Sequence, residues 1–151
     1  AIAREIGEKR NEGIHLGNMG DVLIKLHRFN EAEAAFRDAI PLCEQTMPAA
    51  AGAFRGSLAL ILAKRGKNDE AFTMLEFGET PVQAIPEEHA KFLGKKGQVY
   101  QLAGDTAAAK AALKQAKEIA ANLKVSDDSE VGQAIAELSR FLRLSSDSDE
   151  L

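Results

Sequence analysis

The chain has 151 residues, the length of a single domain, and a formal net charge of −4 with no long basic run, which gives no reason to expect a nucleic-acid partner. Hydrophobic residues make up 45% of it but aromatic residues only 5%, without tryptophan, which favours helices packed through alanine, leucine and glycine over a β-sandwich. The apolar run of about 20 residues that a membrane span needs is absent, and the single cysteine, Cys43, excludes an internal disulfide and is typical of a cytoplasmic protein.

Residues 1–10, AIAREIGEKR, predict the tail of a helix. Ala1 and Ile2 fall in the same register as Ala39 and Ile40, near the end of a helix farther along the chain. We interpret these ten residues as the end of an upstream repeat, and we expect the sequence to be the C-terminal part of a larger protein.

Residues 11–46 predict the first complete helical hairpin. Small and apolar residues recur three and four positions apart on both sides of a break at residues 27–29: Met19, Gly20, Leu23 and Leu26 before it, and Ala32, Ala35, Phe36 and Ala39 after it. Asn30 followed by Glu33 has the spacing of a capping box, which predicts the start of the second helix.

Two further hairpins and a single helix follow. Residues 48–80 predict the second hairpin and residues 86–124 the third, and each begins with a proline, which suits the first turn of a helix. Residues 127–144 predict a capping helix that covers the last hairpin with its apolar side: Val131, Ile135, Leu138 and Leu142. Residues 145–151 form a short acidic tail, which we expect to be disordered.

The three hairpins repeat one pattern of side-chain sizes. Gly20 is matched 39 positions later by Ala59 and after 38 more by Gly97. Such a period with two helices per unit predicts a solenoid, in which small residues lie where helices approach closely and large apolar residues fill the space beside them. The residues predicted to hold the hairpins together are Gly20, Ala32, Phe36, Ala39, Ala59, Ala71, Leu75, Gly97, Tyr100, Ala109, Leu113 and Ala116.

This framework resembles that of the tetratricopeptide repeat (TPR) family. The usual tryptophan is absent, and the spacing of 38–39 exceeds the common 34, as in the longer variant found in kinesin light chains and many bacterial multidomain regulators. The resemblance covers residues 1–144. It implies an all-α, right-handed α-solenoid of three TPR hairpins, with a partial helix before them and a C-terminal capping helix. It also implies a cytoplasmic, non-enzymatic scaffold for protein–protein interaction.

In this family the first helices of successive repeats line a concave groove that binds a protein or peptide. When the repeats are aligned with those of the family, the groove positions fall on Asn18, Asp21, Lys25, Ser57, Leu60, Lys64, Lys91, Lys95 and Gln98. These positions include four lysines and one aspartate, so we expect the groove to favour an acidic segment. Some TPR domains clamp the terminal carboxylate of a peptide, but this chain has different residues at three of the clamp positions, Gly17, Asp21 and Ser57. We therefore expect general recognition of acidic segments instead.

Other functions find little support in the residues. The three histidines form no metal-binding or catalytic motif and are expected at the surface or in loops, and no cofactor is predicted. Neither a nucleic acid nor a membrane is expected as a partner. Two alternatives stay open: a sensing or autoinhibitory module of a larger enzyme or transcription regulator, and a module for self-association, since the oligomeric state cannot be read from the sequence.

Overall fold

The computed structural model describes residues 2–149, which fold into seven helices without a strand. The all-α prediction is therefore confirmed. The helices are α1 (Ile2–Lys25), α2 (Phe29–Cys43), α3 (Pro48–Lys64), α4 (Asn68–Val82), α5 (Pro86–Leu102), α6 (Thr106–Leu123) and α7 (Glu130–Asp149).

The helices pack as three hairpins in a row, followed by a single helix. The hairpins are α1–α2, α3–α4 and α5–α6, and α7 packs against both helices of the third hairpin. Each hairpin also packs on the first helix of the next, so the predicted helical solenoid is confirmed. We call α1, α3, α5 and α7 the first helices and α2, α4 and α6 the second helices.

The same turn geometry closes all three hairpins. His27, Gly66 and Gly104 occupy one register position, and their φ angles are 58°, 78° and 87°. This left-handed backbone is accessible to glycine without steric strain and is uncommon for other residues. The repeat therefore fixes the turn even in the first hairpin, where the residue is histidine.

The N-terminal residues differ from their prediction as the separate end of an upstream helix. The helix α1 runs without a break from Ile2 to Lys25. The next two first helices begin at Pro48 and Pro86, whereas the matching position in α1 is Lys9. Proline restricts the residue before it and lacks the N–H that continues a helix, and lysine imposes neither limit.

The C-terminal tail also differs from its prediction. The sequence predicts disorder from residue 145 onward, but α7 continues to Asp149, while residues 150 and 151 lie outside the described part of the chain. The hydroxyl groups of Ser145 and Ser146 donate to the carbonyl oxygens of Phe141 and Leu142, at 2.9 and 3.1 Å. These bonds satisfy the serine side chains within the helix.

The interior follows the repeat of small and large residues. Ten of the twelve residues predicted to hold the hairpins together are buried, and the other two, Tyr100 and Leu113, are half-buried. Cys43 is also buried, and the loss of solvation raises the pKa of its thiol. The thiol therefore behaves as a small apolar side chain of the core.

Successive first helices meet through a phenylalanine ring that lies on a glycine. The ring of Phe54 in α3 covers Gly17 of α1, and the ring of Phe92 in α5 covers Gly56 of α3. The two glycines occupy the same register position, as do the two phenylalanines. A side chain on either glycine would overlap the ring, so glycine permits the close approach of the helices.

We expect Gly17→Ala to destabilise the protein by about 1–3 kcal/mol, because the added methyl group would displace the Phe54 ring. Alanine favours helix by about 1 kcal/mol over glycine, so the loss must exceed this gain. Gly7→Ala is the matched control, since nothing lies within 4 Å of a methyl group there, and it should be neutral or stabilising. Thermal unfolding followed by circular dichroism measures both, and equal effects would contradict the packing.

We expect Ala71→Leu to destabilise the protein by about 1–3 kcal/mol through overpacking, because Ala71 is fully buried between helices. Ala111→Leu makes the same change at an exposed position of α6 and should shift stability by less than about 0.5 kcal/mol. Chemical unfolding with urea compares the two variants. A midpoint for Ala71→Leu equal to that of the control would show that this register position is not tightly packed.

Candidate partner-binding face

Three first helices each contribute one polar side chain to a single contact. The hydroxyl of Ser57 in α3 donates to Oδ1 of Asp21 in α1 at 3.1 Å, and the ammonium of Lys95 in α5 donates to the same hydroxyl. Ser57 is almost fully buried beneath the two charged groups. Three of the predicted groove residues therefore meet at one point, and we call the side of the first helices that bears them the inner face.

We infer that the inner face is concave. Lys95 Nζ and Asp21 Oδ1 lie 3.9 Å apart, although α3 separates the helices that carry them. Among the described helices, the backbones of α3 and α5 and of α5 and α7 pack closely, whereas those of the second helices do not approach one another. Close spacing on the inside and wide spacing on the outside bend the row of helices around the inner face.

Lys91 lies beside this contact and is held by two carboxylates. Its ammonium is 2.9 Å from Glu88 Oε1 and 3.0 Å from Glu130 Oε2, at the start of α7. Partial burial acts to lower the pKa of Lys91, but the hydrogen bonds to both glutamates raise it overall. The hydrogen bond from Lys91, followed by its charge and that of Lys25, lowers the pKa of Glu130. Lys91 and Glu130 are therefore a charged pair at neutral pH.

These carboxylates correct the charge predicted for the groove. The sequence prediction sets four lysines against Asp21 alone, but Glu88 and Glu130 also lie with the lysines, so the surplus falls to one positive charge. Glu88 precedes Lys91 by three positions, a spacing that brings helical side chains together and is visible in the sequence. Glu130 follows Lys91 by 39 positions, and only extension of the repeat into α7 would have found it.

The other predicted groove residues divide into exposed and buried ones. Asn18, Lys25 and Lys64 are exposed, and the ammonium of Lys64 lies 5.2 Å from the centre of the Phe29 ring. Leu60 and Gln98 are buried, each with only 6% of its surface exposed, so they support the inner face from below and offer a partner little contact area.

Metal-binding side chains are not clustered in the part of the chain that the structure describes. No group of three or more histidine, cysteine, aspartate or glutamate side chains could hold a metal ion there. The expectation that the histidines lie at the surface or in loops is wrong for His89, which is buried on the helix α5 with Nε2 3.8 Å from Glu79 Oε1. Within residues 2–149, the helices also lack the length and apolarity needed to cross a membrane.

We expect Ser57→Ala to destabilise the protein by about 1–2 kcal/mol, because it removes a buried hydroxyl that bonds to two charged side chains. Ser146→Ala is the control. Among the described contacts, the Ser146 hydroxyl bonds only within its own helix, so its loss should lower the free energy of unfolding by less than about 0.5 kcal/mol. Equal unfolding midpoints for the two variants in urea would contradict the role given to Ser57.

Comparison with known proteins agrees with this geometry. Two sequence models described as tetratricopeptide repeat match the chain, one over residues 15–49 and the other over residues 90–123. The first is of the kinesin-light-chain-like type, and the two matches fall on the first and third hairpins. No curated protein matches the chain. Repeats of this kind generally mediate protein–protein interactions. The first and third hairpins therefore match the tetratricopeptide repeat family, and the resemblance predicted from the sequence is confirmed.

Proposed function

We propose that the inner face binds an acidic segment of a partner protein. The observation that carries the proposal is the contact of Asp21, Ser57 and Lys95, because it joins three successive first helices into one continuous polar surface. A partner segment laid across this surface would contact three repeats at once. The concave shape would surround the segment on more than one side.

Lysines of this face already hold carboxylates of the chain itself. Lys95 contacts Asp21, and Lys91 contacts Glu88 and Glu130. Aspartate or glutamate side chains of a partner would take the same positions, since lysine is a flexible point charge that requires no fixed geometry. The two lysines are only partly buried. Ion pairs open to solvent contribute only about 0–1 kcal/mol each, so exchange of one carboxylate for another is not prevented.

Two further lysines extend the positive surface. Among residues 2–146, whose side chains the structure describes, no carboxylate lies within 4 Å of the ammonium groups of Lys25 and Lys64, and both lysines are exposed. They would attract an acidic segment before it docks. Such charges act more on association rate and selectivity than on final affinity.

A random library of displayed 12-residue peptides, selected on the intact chain, tests the proposal. We expect the selected peptides to be enriched in aspartate and glutamate, and their binding to weaken as salt concentration rises. The selection reports the preferred chemistry directly, whichever protein the natural partner is. Peptides without acidic enrichment, or binding unaffected by salt, would contradict recognition through lysines.

The double variant Lys91→Gln with Lys95→Gln then locates the site. It removes two charges without setting new carboxylates against Asp21, Glu88 or Glu130. We expect affinity for a selected acidic peptide to fall about tenfold, the equivalent of two exposed ion pairs, with helical content unchanged. The control, Lys110→Gln with Lys114→Gln, removes two exposed lysines that are also four positions apart, on α6, and should bind normally. Equal losses in both variants would mean that only net charge matters.

A further inference from the structure

One side of α1 is apolar and exposed. It carries Met19 and Val22, and Leu26 directly follows the last residue of α1; 43%, 55% and 57% of their surfaces are exposed. His15 continues the row toward the N-terminus. These positions follow one another at intervals of three and four, so they share one side of the helix. Single exposed apolar residues are ordinary, but neighbouring ones form a contiguous patch, and such patches often mark interaction surfaces.

The same register positions of the second hairpin all lie against the preceding hairpin or in the core. Phe54, which matches His15, covers Gly17 of α1, and Leu58 and Ile61, which match Met19 and Val22, are each 1% exposed. Arg65, which matches Leu26, donates to Asn30 and to Glu33 of α2, the latter at 3.3 Å.

The register positions in α5 behave in the same way. Phe92 covers Gly56 of α3, and Val99 is fully buried. Even the polar member of the series turns to the preceding hairpin, because Lys96 contacts Glu79 of α4 at 2.7 Å. In both later repeats, this side of the first helix is therefore an interface with the hairpin before it.

We propose that the exposed side of α1 is the docking surface for one more helical hairpin of the same repeat type. Its first helix would place a glycine or alanine opposite His15, as Gly17 stands opposite Phe54, and its second helix would cover Val22 and Leu26. The surface continues an established interface and is separate from the side of α1 that carries Asp21.

A second copy of the chain docked end to end fits this surface less well. The register position of Gly17 and Gly56 in α7 is Gly132. The space beside Gly132 is filled by the backbone of Asp127, so α7 presents no open glycine to the α1 of a neighbouring copy.

An extended chain, residues 1–47 followed by residues 9–151, tests the proposal. It keeps the offset of 39 positions and sets the first hairpin ahead of a second copy of itself within the full chain. In the second copy of the hairpin, which has the added hairpin in front of it, Val22→Glu should lower Tm by about 5–10 °C, because the added hairpin would bury the new charge. The same substitution in the first copy, residues 1–47, is the matched control. Nothing covers Val22 there, so Tm should fall by less than about 2 °C.

An equal, small shift in both copies would overturn the proposal, as would an extended chain that aggregates or loses cooperative unfolding. Light scattering on the original chain at two concentrations supplies an independent arm. We expect the mass of a monomer at both. A dimer that Val22→Glu converts to a monomer would show that a second copy covers this surface, and would overturn the proposal as well.

Discussion

The contact on which the rest of the structure depends is a phenylalanine ring lying on a glycine. It occurs between α1 and α3, where Phe54 covers Gly17, and again between α3 and α5, where Phe92 covers Gly56. Because glycine has no side chain, a large ring fills the gap while the helix backbones stay close. Close first helices and splayed second helices bend the row, and this bend brings Asp21 within reach of Lys95 across α3.

The last junction replaces this contact with a different one. The register position of Phe54 and Phe92 is occupied in α7 by Glu130, which reaches back to Lys91. The apolar contact moves along the helix to Leu138, which packs on Gly97 and is fully buried. A carboxylate at the position of a buried ring cannot enter the interface, so it stays exposed at the rim of the inner face. The helix α7 therefore supplies one of the charges of the candidate site.

The inner face holds its lysines in contacts with its own carboxylates. Even when no partner protein is bound, Asp21 keeps Lys95 extended over the face, and Glu88 and Glu130 do the same for Lys91. In the proposed function, an acidic segment would compete with these internal carboxylates, so the charge pairs would add little net affinity and would mainly favour one class of partner over another. Shape and the number of repeats contacted would then determine how tightly a segment is held.

The sequence by itself determined the all-α class, the three hairpins and most of the buried positions, because side-chain size recurs with the period of the repeat. It also placed Asp21, Ser57 and Lys95 on first helices. Only the tertiary structure decided that these three meet, since the contact depends on how far the helices bend, and no local pattern encodes that angle. The same holds for Glu130, which lies 39 positions from Lys91 and neutralises it only after α7 docks. The helix α1 is continuous because Lys9 stands where the next two first helices begin with a proline. The sequence shows this local signal, but the prediction gave more weight to the register of residues 1 and 2 with Ala39 and Ile40.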